Sequence, residues 1–255
     1  MSGAVFVAAP IAALAIVVVS FGIARWRGRY DTIDSVWGAG FAVIAVVSAL
    51  VGPSSALGWT TTALTVVWGV RLSVHLHRRN SGKPEDRRYV EMARRYGDRV
   101  GLLMFLRVYL VQGLVMWFVS LPVQAAIGAP WSPLAWAGIA VWIVGFVFET
   151  VGDAQLSRFR ADPANEGEVL DTGLWRYTRH PNYFGDACVW WGLYLLACAS
   201  WVGVATVLSP VLMTWLLARG SGKPMLERSL RERRPAYADY VDRTSGFVPL
   251  PPRKR

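Results

Sequence analysis

The chain has 255 residues, of which 54% are hydrophobic and only 17% charged, with a mean hydropathy of +0.34. A soluble domain carries about a quarter charged residues, so this composition excludes an ordinary soluble domain and a disordered chain. The formal net charge of +10 sits in alternate loops, which points to a membrane surface and away from nucleic acid.

A membrane-spanning helix needs roughly 20 apolar residues. Seven apolar runs meet or approach that length: Val5–Ala24, Ser35–Val51, Trp59–Val74, Gly101–Leu121, Leu134–Val151, Phe184–Ser200 and Val202–Ala218. The first has no basic segment before it and reads as a retained helix, not a cleaved signal peptide. The loops after runs one, three and five are rich in arginine, and so is the C-terminal tail; the intervening loops carry no Lys or Arg. The expected fold is therefore an all-α bundle of seven transmembrane helices, with the N-terminus outside and the C-terminus cytoplasmic. Residues 1–255 read as a single membrane domain, with 219–255 as a cytoplasmic amphipathic C-terminal segment. That segment alternates Met225, Leu226, Leu230, Tyr237 and Tyr240 with arginines, which suits an anionic membrane surface or a lid over a pocket. The expected location is a bacterial inner or cell membrane, with the chemistry on the cytoplasmic side.

Run two begins at Arg29-Tyr-Asp-Thr-Ile-Asp34, where Asp31 and Asp34 suit the positive end of a helix dipole. Asp34 lies deeper and is the stronger functional candidate. Gly38-Ala-Gly40 lacks the third glycine and the preceding strand of a dinucleotide fingerprint, and reads as close helix packing. Run three ends with Arg71, His75 and Arg78 on one helical face. His75 there is either a structural donor or a proton donor to a carbonyl.

At the end of run five, Glu149 and Asp153 share a face, and Arg160 returns to it if the helix continues. Two carboxylates at a membrane boundary suit ribose or adenine, and an arginine suits a phosphate; internal ion pairs at a solvated helix end are the plain alternative. The most informative segment is Asn165–Gly192. Pro181 is suited to a first helical turn, with Arg176, Arg179 and His180 just before it. Asn182, Asp186 and Trp190 follow at i, i+4 and i+8 on one face. A carboxylate one turn inside a membrane helix needs a partner or a polar cavity. The two cysteines, Cys188 and Cys198, exclude a disulfide scaffold and lack zinc-site spacing. No metal site is expected.

The segments Asp171-Thr-Gly-Leu-Trp175, Arg176-Tyr-Thr-Arg-His-Pro-Asn-Tyr-Phe-Gly-Asp186 and Trp190-Trp-Gly192 stand before three later elements. These are Ser221-Gly-Lys-Pro224 to Glu227, Pro235 to Tyr240, and Phe247-Val-Pro249. Together they resemble the steroid 5-alpha-reductase superfamily, and most closely its bacterial branch of uncharacterised membrane proteins, the DUF1295 group. The resemblance implies seven helices with NADPH among their cytoplasmic halves, and hydride transfer to the beta carbon of a lipophilic enone whose carbonyl is polarised. It implies cofactor contacts at Arg78, Asp153, Arg160, Asn182, Asp186 and Trp190; Glu149, Arg176, Arg179, His180 and Glu227 join the expected cofactor set beside them. No Gln-Glu pair of the steroid enzymes stands on run two; Asp34 is the nearest acid, and His75 falls where their tyrosine is expected. His75 and Asp34 are thus the catalytic candidates, with Tyr30 a further one.

Arg179-His-Pro-Asn-Tyr-Phe-Gly185 also resembles membrane methyltransferases that use S-adenosylmethionine on lipids or isoprenylcysteine. Those carry a Glu-Glu pair where this chain has Leu226-Glu227. A transporter or assembly factor is the non-enzymatic alternative, and polar residues confined to one end of the helices speak against it. The expected partners are a lipophilic small molecule and membrane lipids.

Overall fold

A computed structural model describes residues 2–220, 227 and 237–253. Among these residues every regular element is helical. The helices are α1 (Gly3–Arg27), α2 (Thr32–Val51), α3 (Ala56–Asn80), α4 (Arg87–Tyr96), α5 (Val100–Met104), α6 (Leu110–Val119), α7 (Leu121–Ala126), α8 (Pro133–Ala161), α9 (Pro181–Ala197), α10 (Trp201–Val204), α11 (Leu208–Ala218) and α12 (Tyr237–Arg243). A π-helical turn, Phe105–Tyr109, joins α5 to α6, so that Arg87–Ala126 runs as one long helical stretch. Much of the expected amphipathic tail, including Met225, Leu226, Leu230 and the Ser221–Pro224 motif, lies outside the described residues.

Among the described residues, five helical stretches are long and apolar enough to cross a membrane: Gly3–Arg27, Thr32–Val51, Arg87–Ala126, Pro133–Ala161 and Trp201–Ala218. Their outward faces are apolar, with Ile11, Val19 and Leu114 more than half exposed. Such faces are costly in water and suit hydrocarbon. The other two expected runs do form helices. α3 is 25 residues long, but Thr60, Thr61, Thr62 and Thr65 and its basic end dilute its apolar character. The hydroxyls of Thr60, Thr61 and Thr65 donate to the carbonyls of Ala56, Leu57 and Thr61, so these three are satisfied within the helix. α9 is apolar but only 17 residues long.

The chain divides into two compact units. The first comprises Met1–Ala135 with Leu196–Thr206. Its core joins α1, α2, α3 and α6 through small residues. A Cβ on Gly38 would lie 2.2 Å from the carbonyl oxygen of Gly69, and one on Gly69 would lie 2.3 Å from that of Gly38. The expected packing role of Gly38 is therefore what the backbone shows. Phe41 and Trp68 meet edge-on at 5.6 Å beside this crossing. α1 ends at Gly28, whose φ of +67° forms a left-handed cap, and Arg29 N–H donates to the Ala24 carbonyl.

The second unit comprises Trp136–Leu195 and Val207–Arg255. Its main feature is the pairing of α8 with α9. Gly138, Gly145 and Gly152 recur every seven residues on α8, and Gly185 and Gly192 do so on α9. A Cβ on Gly145 would lie 2.5 Å from the Gly185 carbonyl oxygen, and one on Gly192 2.7 Å from that of Gly138. Glycine at every second turn of this seam lets the two backbones touch.

Candidate functional site

The glycine seam decides what stands beside it. α8 continues unbroken to Ala161, so Glu149 and Asp153 share one helix with Arg158 and Arg160. α9 starts at Pro181, as expected of a residue without an N–H. Because Gly152 permits a close approach to Pro181 and Asn182, the first turn of α9 meets the polar turn of α8. The Asn182 side-chain amide donates to the Asp153 carboxylate at 3.1 Å. Asp153, Asp186 and Glu149 are all buried, at 6%, 8% and 3% exposure. The helix pair thus carries three buried carboxylates, with Trp190 buried one turn beyond Asp186. Such a wall is rich in acceptors and suits a ligand with hydroxyl donors, such as a ribose. Arg160 reaches the solvent from the last turn of α8.

Arg179 and His180 are also buried, but face the C-terminal segment. Arg179 Nε donates to Glu227 at 2.9 Å, and His180 Nε2 lies 3.0 Å from the same oxygen. The Arg179 guanidinium also donates to the carbonyls of Val241 and Thr244, at 3.0 and 2.6 Å. It therefore caps the C-terminal end of α12, where unpaired carbonyls gather. Burial alone would raise the Glu227 carboxyl; hydrogen bonds from His180 and Arg179 outweigh it and hold the group down at about 2. At neutral pH Glu227 is ionised, so His180 Nε2 carries the proton in this contact. Three further bonds tie the same strap down. Thr178 Oγ1 donates to the Phe247 carbonyl, Leu250 N–H to that of Tyr177, and the Tyr240 hydroxyl to that of Trp175. Of the expected cofactor contacts, Arg179, His180 and Glu227 thus form one buried ionic clasp. Arg176 is exposed on the preceding turn.

The first unit holds a separate polar cluster at the entry to α2. Asp31 takes the N-cap position, but its side chain makes no capping bond. It pairs instead with Arg29 at 2.8 Å and accepts the Asp86 backbone N–H at 3.1 Å. Its hydrogen bond is what raises the Arg29 guanidinium above its usual range. Glu85 accepts the backbone N–H of Tyr30 and Asp31. Burial alone would raise the Asp86 carboxyl; hydrogen bonds from the Arg88 side chain and backbone outweigh it and hold the group below the usual range.

Asp34 is only partly buried and accepts the Tyr89 hydroxyl at 2.6 Å, with Arg88 3.6 Å away. Tyr89 itself is 5% exposed. Sequence reasoning found Asp34 but missed Tyr89, Arg88, Asp86 and Glu85. The available signal was the match between Arg29–Asp34, with two acids, and the charged run Glu85–Arg88 that leads into an amphipathic α4. His75 is half-buried on α3, beside Arg71 on the same face, while Arg78 and His77 are exposed. Tyr30 donates its backbone N–H to Glu85, and its hydroxyl accepts from Arg25 at 2.9 Å. Among the described residues no cluster of His, Cys, Asp and Glu is arranged to hold a metal ion.

Comparison with known proteins places these clusters in a family. The chain is similar to the uncharacterized protein C594.04c of Schizosaccharomyces pombe (strain 972 / ATCC 24843), at 22% identity over 269 residues, covering 91% of this chain and 76% of the yeast protein. No solved structure matches the chain. The sequence pattern of the family described as "Protein of unknown function (DUF1295)" matches residues 20–244, and the chain belongs to that family.

Proposed function

We propose that the protein is a multi-pass membrane reductase that uses NADPH to saturate the carbon-carbon double bond of a lipophilic enone, a steroid or another lipid. The observation that carries this reading is the buried acceptor wall of α8 and α9, where Asp153 holds Asn182 beside Asp186 and Glu149. The wall fits the ribose hydroxyls of a dinucleotide, and the resemblance to the steroid 5-alpha-reductase superfamily points to that cofactor. NADPH supplies the hydride when bound. Asn182, Asp153, Asp186 and Glu149 orient its sugar, and Trp190 backs the wall with an apolar surface.

The Asp34–Tyr89 pair is well suited to the substrate carbonyl. A Tyr89 hydroxyl that turns from Asp34 to a carbonyl oxygen donates a hydrogen bond there and stabilises the developing enolate. Arg88, 3.6 Å from Asp34, balances the carboxylate left behind. Tyr89 joins His75 and Asp34 as a catalytic candidate. The seven-helix topology, with the N-terminus outside and the C-terminus cytoplasmic, belongs to the same reading and follows from the arginine-rich alternate loops.

The test is thermal unfolding of the detergent-purified protein with NADPH and S-adenosylmethionine in parallel. A ligand that binds only the folded state raises its stability, by roughly 2.7 kcal/mol at 100 times its dissociation constant. NADPH alone is expected to raise the melting temperature, and Asn182→Ala and Asp186→Ala are each expected to weaken that response at least about tenfold in concentration. Both variants binding NADPH like the parent would overturn the site assignment. Stabilisation by S-adenosylmethionine alone would support a lipid or isoprenylcysteine-type methyltransferase instead. In an enone reduction assay, Tyr89→Phe is expected to lower kcat by about 10² with little change in NADPH affinity.

A further inference from the structure

We propose that a recess between the Gly173–Arg176 turn and the end of the C-terminal strap binds a phosphate group, carried by a lipid headgroup or by a soluble phosphate. The recess measures about 370 Å³ and is lined by Asp171, Thr172, Arg176, Arg243, Thr244 and Arg253 among others. It lies wholly within the second unit and does not depend on the reductase reading.

Three guanidiniums share this recess with one carboxylate. Asp171 lies 3.7 Å from Arg243, with both side chains nearly half exposed, at 44% and 45%. An exposed pair of that kind contributes little and leaves the local charge strongly positive. The arginines are also held in place by the backbone. Gly173 adopts a φ of +59°, and Gln155 accepts the Leu174 N–H at 3.1 Å, which fixes the turn bearing Arg176. Arg253 N–H donates to the Arg243 carbonyl at 3.0 Å, and Leu250 N–H to that of Tyr177 at 3.0 Å, which fixes the strap against the turn. Like charges on a flexible surface disperse; here the fold gathers them. A phosphate answers that arrangement, because its oxygens accept from guanidinium forks in pairs. The hydroxyls of Thr172 and Thr244 add neutral donors. The volume leaves room for a glycerol or a sugar attached to the phosphate.

The test uses the full chain in neutral detergent. Inorganic phosphate is compared with chloride at matched ionic strength, and a phosphatidic acid is added to the micelles in a second arm. Thermal stability is read in each arm for the parent, Arg253→Gln, and Arg176→Gln/Arg253→Gln. Phosphate is expected to stabilise the parent beyond chloride, with the response weakening as salt rises. The double variant is expected to need at least about tenfold more phosphate for the same shift. A response at lower concentration in the phosphatidic acid arm assigns the lipid source; a stronger response to inorganic phosphate assigns the soluble one. No stabilisation beyond chloride in either arm, or a double variant that responds like the parent, overturns the proposal. Arg253→Gln changes one exposed side chain near the end of the chain, so it carries the test if the double variant does not fold. NADPH binding measured on Arg253→Gln, which lies outside the expected cofactor contacts, separates failure here from failure of the reductase reading.

Discussion

Gly185→Val is expected to destabilise the protein by on the order of 3 kcal/mol or more, enough to lose most folded material from a detergent extract. The added side chain has nowhere to go. Even a Cβ at Gly185 would lie 2.4 Å from the Glu149 backbone nitrogen and 2.5 Å from the Gly145 carbonyl oxygen. Both are backbone atoms within helices, so neither can rotate away as a side chain would. α8 and α9 would have to separate, and the Asn182–Asp153 hydrogen bond would go with them. Gly145→Val meets the same seam from the other side and is expected to act alike. Gly22→Ala is the control: nothing lies within 4 Å of its Cβ, and alanine favours a helix. It is expected to leave stability unchanged or slightly higher. Thermal unfolding of the three variants checks this, and a Gly185→Val protein that melts with the parent would show that the seam is not as tight as described.

The second large effect concerns the clasp that holds the C-terminal strap. Glu227→Ala is expected to cost on the order of 3–5 kcal/mol, because it leaves the buried Arg179 and His180 without their shared carboxylate. The same residue predicts a pH dependence with a definite sign. The Glu227 carboxyl has an ordinary value of 4.5 and is held at about 2 in the folded protein. A group whose folded value is depressed stabilises the fold above its unfolded value and loses that contribution as pH falls. The contribution is thus complete above about pH 4.5 and fades as the pH approaches about 2, amounting to roughly 3 kcal/mol. Glu227→Gln removes the charge and keeps the shape. The gap in thermal stability between parent and Glu227→Gln is expected to be wide at pH 7 and to close towards pH 2. A gap that stays constant over that range would show that the carboxylate does not hold the strap.

These two predictions also separate what could be read before the fold was known from what could not. The helices themselves were legible, because the apolar runs are long and largely uncharged. So were the cap at Pro181, the continuation of α8 that brings Arg160 onto the helix of Glu149 and Asp153, and the packing role of Gly38. All of these depend on neighbours a few residues apart, and local backbone chemistry decides them. Among the described residues, five helical stretches meet the requirements for crossing a membrane on length and apolarity.

Side-chain partners across the fold were not legible. The sequence suggested that Arg179 and His180 face a ligand. The structure gives their polar groups to Glu227, 48 and 47 positions further along, and to the end of α12. Asp31 looked like a helix cap and instead binds Arg29 and the Asp86 backbone, while Tyr89 reaches Asp34 from 55 positions away. The chain alone therefore determined where helices form, because hydrophobic periodicity and capping act over a turn or two. Only the tertiary structure decided which charges meet, because that depends on how closely helices approach. Here glycines spaced seven apart on α8 and α9 set that approach, and their effect appears only when the two helices are placed side by side.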